Sequence, residues 1–189
     1  MKWIAICLLV LGLTHHSVYA KFMEDEPGVR LKAYIDSAHI EGPSRVRDQR
    51  YAGSLVFKAP IPFVYQPSVR RRISLGLDLT VDPDLVNKSG LVNIQQNFYT
   101  VGSFVEWNYV KVFRFSILAG PSLLITQNIF DIMNNKETRT ILSYATKAGI
   151  AVDYAINSRW EVSWHLLTLY RHRYKKLDWR QGVGVGFNF

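Results

Sequence analysis

In Arg72-Ile73-Ser74-Leu75-Gly76-Leu77-Asp78-Leu79-Thr80-Val81 every second residue is aliphatic. Ile73, Leu75, Leu77, Leu79 and Val81 fall on one side of an extended chain, and Arg72, Ser74, Gly76, Asp78 and Thr80 on the other. A helix would scatter both sets round its circumference, so the segment reads as a strand with one apolar and one polar face. The period recurs along the chain. Residues 29–40 set Val29, Leu31, Ala33 and Ile35 against Arg30, Lys32, Tyr34 and Asp36. Residues 50–58 set Tyr51, Leu55 and Phe57 against Ala52, Ser54 and Lys58, with Val56 interrupting the pattern. Residues 97–108 and 111–125 put Tyr99, Val101, Val105, Trp107, Phe113, Phe115, Ile117, Ala119 and Leu123 on the apolar side. Thr100, Gly102, Glu106, Arg114, Ser116, Gly120 and Ser122 take the polar side. Residues 139–155, 159–171 and 179–189 complete the set, with Lys147, Asp153, Glu161, His165 and Arg180 on their polar faces.

That makes eight strands, an even number. The links at 41–49, 82–96, 126–138 and 172–178 are polar, whereas those around Tyr109-Val110 and Asn157-Ser158 are tight. Long and short connections therefore alternate, as in an outer-membrane barrel with both termini in the periplasm. The link at 59–69, with Pro60, Pro62 and Pro67, departs from this habit. The predicted fold is all-β: an eight-stranded antiparallel up-and-down transmembrane β-barrel.

Alternation does not say which face is wet, because a soluble lipocalin-like barrel also alternates, with its apolar side inward. Three features put lipid outside. The segments run longer than the 5 or 6 residues usual for soluble strands, near the 9–11 that cross a bilayer. The polar faces carry Arg30, Lys32, Arg114, Lys147 and Arg180 against Asp36, Asp78, Glu106, Asp153 and Glu161, the balance a closed lumen requires. Aromatics gather near strand ends: Trp107, Phe113, Tyr154, Trp160, Phe187 and Phe189 toward one edge, Tyr51, Tyr99, Tyr170 and Trp179 toward the other. Rings with one apolar and one wet end suit such girdles.

The first 20 residues have the layout of a cleaved secretory signal: Lys2, an apolar run from Ile4 to Leu13, and Val18-Tyr19-Ala20 at the cleavage site. Residues 21–189 then form one barrel domain in the cell outer membrane. The lone cysteine, Cys7, would leave with the signal, so neither a disulfide nor a thiol site is expected. At 48% apolar and 13% aromatic residues the chain is not disordered.

The chain ends Gly182-Val183-Gly184-Val185-Gly186-Phe187-Asn188-Phe189. The terminal Phe189, with Phe187 two before it and Gly184 further back, resembles the C-terminal signal of bacterial outer-membrane proteins. Gly182 stands where that family prefers a polar residue. With the eight strands and alternating loops, the mature chain resembles the small barrels of OmpA-transmembrane, OmpX and OmpW type. The resemblance implies a Gram-negative cell and recognition by its barrel-assembly machinery. It says almost nothing of activity.

Candidate chemistry is sparse. Ser37, His39 and Glu41 share a strand face beside Ile35, and nucleophile, base and acid are the types acyl transfer needs. Eight-stranded barrels that deacylate lipid A carry histidine before serine near the last strands, whereas here Leu166-Leu167 follows His165. Residues i and i+2 of a strand also lie about 6–7 Å apart by rise alone, beyond hydrogen-bonding reach. His165 reads as a hydrogen-bonded lumen residue. No histidine pair has metal-ligand spacing, so neither metal nor cofactor is expected. Arg171, Arg173, Lys175 and Lys176 cluster in the last polar link with Asp178 as its only acid. In an exported barrel such cations would meet lipopolysaccharide phosphates rather than nucleic acid. The primary expectation is a monomeric, non-enzymatic barrel with a filled lumen, serving envelope integrity or surface interaction. A lipid A acyl hydrolase and a narrow channel for apolar solutes are the alternatives.

Overall fold

The computed structural model describes residues 28–41, 47–61, 71–83, 92–110, 113–132 and 135–189. Eight strands follow one another: β1 (Arg30–Glu41), β2 (Arg47–Pro60), β3 (Arg71–Asp82), β4 (Val92–Val110), β5 (Arg114–Ile132), β6 (Asn135–Ala155), β7 (Trp160–Arg171) and β8 (Lys176–Asn188). Each pairs antiparallel with the next, and β8 closes on β1 from Arg30↔Asn188 to His39↔Trp179. Closure gives each strand a partner on both sides, so no sheet edge faces the surroundings along the closed part of the wall. No helix occurs among the described residues.

The two faces invert the rule of soluble proteins. Ile35, Tyr144, Leu142, Val183 and Ile117 point outward and are more than half exposed. Lys32, Asp36, Asp153 and Glu161 point inward at 0% exposure. A continuous apolar outer wall of this kind has no stable place in water. At the end that carries both termini, Trp160 and Phe187 meet edge to face at 5.0 Å, Phe187 meets Phe189 at 5.0 Å, and Phe113 lies 5.5 Å from Tyr154.

Several sequence expectations need correction. Val56 does not break the alternation of β2. It points inward and packs in a small apolar cluster with Tyr34, Phe104 and Leu118, flanked by Leu167. The link expected at 126–138 is largely strand, with β5 running to Ile132 and β6 from Asn135, and the upper end of the link expected at 82–96 is strand as well, since β4 already begins at Val92. Gln95, Gln96, Gln127 and Asn128 put polar groups on both faces there, and Ile129 and Phe130 are adjacent apolar residues, so the two-residue period fades while the backbone ladder continues. The last link shrinks to a turn at 172–175, where Lys175 takes a left-handed φ of 52°. The middle of the proline-rich link, 62–70, lies outside the described residues, as does the expected signal segment.

One stretch of ladder is missing. β4 and β5 pair at Gly102↔Ser122 and again at Val105↔Ala119, but not between. Pro121 lies in that gap, and a proline has no N–H to give a ladder.

Candidate functional site

The buried charged side chains converge in the lumen, which is built in layers. Near the terminal end, Lys32 Nζ lies 2.6 Å from Asp153 Oδ2 and 2.7 Å from Glu161 Oε1, and donates to Ser163 Oγ at 3.1 Å. Arg114 Nη1 closes the ring, 2.8 Å from Glu161 Oε2 and 3.4 Å from Asp153 Oδ2. Two cations and two carboxylates thus form a neutral quartet with every member buried. Beside it Lys58 Nζ reaches Glu106 at 2.7 and 2.9 Å. Arg30 is buried at the foot of this layer.

Higher up, Lys147 crosses to Asp78, with its ammonium 4.4 Å from the centroid of the Phe104 ring. His165 Nε2 lies 2.9 Å from Asp36 Oδ1, Ser54 donates its hydroxyl to Asp36 Oδ2, and the Tyr34 ring lies 4.2 Å from the imidazole. At the top, Arg171 grips Asp178 with two nitrogens, at 2.7 and 2.9 Å, and Arg180 stands 4.0 Å from Asp82. A cavity of about 20 Å³ between the middle layers, lined by Lys147, His165, Thr80 and the apolar cluster, has room for about one water.

Glycines make these pairs geometrically possible. In the ladder Lys32 stands opposite Gly186, which stands opposite Glu161. Asp36 is likewise separated from His165 by Gly182 alone. Each pair reaches across a glycine that keeps the space open. A Cβ on Gly186 would sit 2.7 Å from Glu161 Cγ, and one on Gly182 would collide with the Asp36 carboxylate.

All the charges named from the sequence (Arg30, Lys32, Asp36, Asp78, Glu106, Arg114, Lys147, Asp153, Glu161 and Arg180), with His165, lie on the lumen side and are buried. Lys58, Arg72, Asp82, Arg171 and Asp178 join them. Parity could have found Lys58 and Arg72, which already share inner faces with residues of the set. Arg171 is the correction. Expected among the lipopolysaccharide contacts, it points inward and pairs with Asp178, because it sits two residues beyond the inward Leu169. Arg173 and Lys175 are exposed on the turn, and Lys176 is half-buried.

Ser37 and His39, the hydrolytic candidates whose side chains are described, lie two residues apart on the outer side of β1. His39 is half-buried and stacks on the Trp179 indole at 4.3 Å and 18°, and Ser37 stands opposite Tyr51 and Gln181 in the ladders. The side chain of Glu41 lies outside the described set. No group of three or more metal-ligating side chains occurs among the described residues.

Compared with known proteins, the sequence matches no family model and no curated protein. Solved structures do match. Ail, the attachment invasion locus protein of Yersinia pestis, superposes with a TM-score of 0.63 at 12% identity, over 87% of this chain and 100% of that one. The N-terminal β-barrel domain of Pseudomonas aeruginosa OprF gives 0.55 at 18% identity, over 87% and 98%. Neisserial surface protein A gives 0.53 at 12% identity, over 85% and 96%. The chain therefore has the fold of the small eight-stranded outer-membrane barrels. At such identities the likeness is one of fold.

Proposed function

We propose that this chain is a non-enzymatic outer-membrane barrel with a side-chain-filled lumen, contributing to envelope integrity or surface interaction. The observation that carries the reading is the inverted wall: apolar residues exposed all round the outside, and charges buried and paired within. Lipid is the solvent that makes both faces favourable at once. The termini and short turns then lie in the periplasm, and the long β4–β6 extensions and the 172–175 turn lie outside the cell. Arg173, Lys175 and Lys176 would meet lipopolysaccharide phosphates there, held above the Arg171–Asp178 pair. Specificity on such a scaffold resides in the outer segments. Fractionation of expressing cells tests the reading: the folded protein should be found in the outer membrane and shift in electrophoretic mobility on boiling. Soluble protein in the periplasm would overturn it.

A further inference from the structure

β6 is 21 residues long but β7 only 12, so the upper part of β6 outruns its neighbour. The β6–β7 ladder ends at Ala145↔Arg171, followed by one backbone bond from the His172 N–H to the Tyr144 carbonyl. Above Tyr144, no described strand pairs with β6 on the side away from β5. Lys136, Glu137, Thr138, Arg139 and Thr140 all have exposed side chains. The result, among the described residues, is an open strand edge above the end of the β6–β7 ladder.

The bond at Tyr144 sets the phase of that edge. Backbone groups of a strand alternate sides, so Leu142, Thr140, Thr138 and Lys136 turn their N–H and C=O toward the open side, and Glu137 and Arg139 turn theirs toward β5. A second strand can therefore add there by main-chain hydrogen bonding. The charges say which strand. In an antiparallel pairing of this segment with its own copy, the position of the two-fold axis sets every contact. Centred on Lys136, Glu137 or Arg139, it sets like charges face to face. Centred on Thr140, it leaves the charges unmatched. Centred on Thr138, it puts Glu137 opposite the partner's Arg139, Arg139 opposite the partner's Glu137, and Lys136 opposite the partner's Thr140. Glu137 and Arg139 already lie on one face of the strand, with Arg139 Nε 2.8 Å from Glu137 Oε1. Two copies would form a four-membered square of alternating charge.

We infer that the upper part of β6 pairs antiparallel, about Thr138, with the same segment of a second copy of this chain. The inference deepens the surface-interaction reading and rests on it for orientation. An antiparallel edge pair has its two-fold axis perpendicular to the sheet, so the two barrels meet loop end to loop end. Copies side by side in one membrane would present these edges parallel instead. A two-stranded contact without a buried apolar face is weak, so each barrel is complete alone and the pairing depends on concentration.

The test uses the detergent-solubilised full chain in a Cys7→Ser background, with folding verified by the mobility shift on boiling. Thr138→Cys should give a disulfide-linked dimer under mild oxidation, because opposed Cα atoms about 5.5 Å apart fit a disulfide. Lys136→Cys alone should cross-link poorly, yet well when mixed with Thr140→Cys. Adding Glu137→Arg to Thr138→Cys should cut cross-linking about fivefold, the scale of opposed like charges in a strand pair. The swap Glu137→Arg/Arg139→Glu should restore it. Folded barrels in which Thr138→Cys cross-links no faster than Lys136→Cys, or in which the swap fails to restore it, would overturn the pairing and leave the barrel reading standing. Loss of the mobility shift in the unsubstituted chain would instead count against the barrel reading.

Discussion

Lys147 shows what one buried charge does in this lumen. It enters from β6 beside Gly120 of β5, and its ammonium ends between the Asp78 carboxylate and the Phe104 ring. Asp78 is itself only 9% exposed, so bulk water solvates its carboxylate poorly once the lysine is gone. Lys147→Ala should lower stability by about 3–5 kcal/mol, the scale of stranding one charge of a buried pair. Lys147→Leu should not recover it, whereas adding Asp78→Asn should recover part, because the carboxylate is then gone. Urea titration in detergent, followed by the mobility shift on boiling, measures all three. A loss within about 0.5 kcal/mol, typical of an exposed substitution, would remove Lys147 from the structural core. The glycines give a second test. Gly182→Ala forces a methyl into the contact between Asp36 and His165, and should cost about 1–3 kcal/mol through overpacking. Gly53→Ala, where an added Cβ meets nothing within 4 Å, should leave the urea midpoint nearly unchanged.

At the scale of the element, β8 carries two separable roles. Its inward glycines make room for side chains from β1 and β7, while Val183, Val185 and Trp179 are exposed on the outer wall. Its end is fixed by backbone: the Phe189 N–H donates to the Val29 carbonyl at 2.9 Å. The Phe189 side chain is 72% exposed and touches Phe187 edge to face. Phe189→Ser should therefore change the finished barrel little, by about 0.5 kcal/mol or less as for an exposed site. Yet it should sharply reduce the amount of barrel assembled in cells, because the terminal aromatic is expected to act as a recognition element. Comparing cellular yield with the urea midpoint of protein refolded in detergent separates the two. Equal yield from both chains would remove the recognition role. The alternation that reveals β8 is also what reveals β3. The upper ends of β4, β5 and β6 were not legible in this way, since Gln95, Gln96, Gln127 and Asn128 are polar whichever side they face.

Seen whole, the barrel is stoppered in layers: the Lys32–Arg114–Asp153–Glu161 quartet at one end, Lys147–Asp78 and His165–Asp36 in the middle, and Arg171–Asp178 at the other. Eight strands enclose an interior that side chains just fill, and here they do so with opposite charges that hold one another in place. Reconstituted in a planar bilayer, the protein should give no stepwise conductance in symmetric salt. Regular steps that survive in the folded, heat-modifiable protein would favour the narrow-channel alternative.

The strands and their two faces follow from the sequence alone, because an extended chain throws successive side chains to opposite sides whatever surrounds it. Arg30 through Arg180 could thus be assigned to one interior without knowing any contact. The partners could not be assigned in this way. Lys147 meets Asp78, and Asp36 meets His165 across Gly182, because closure fixes the register of all eight strands together, and a shift of one pair would move every other. The apolar cluster of Tyr34, Val56, Phe104 and Leu118 inside a polar lumen, and the pairing of Arg171 with Asp178, are likewise products of that closure. Side-chain type says whether a residue suits lipid or water, but only the assembled wall sets which groups lie within reach of each other.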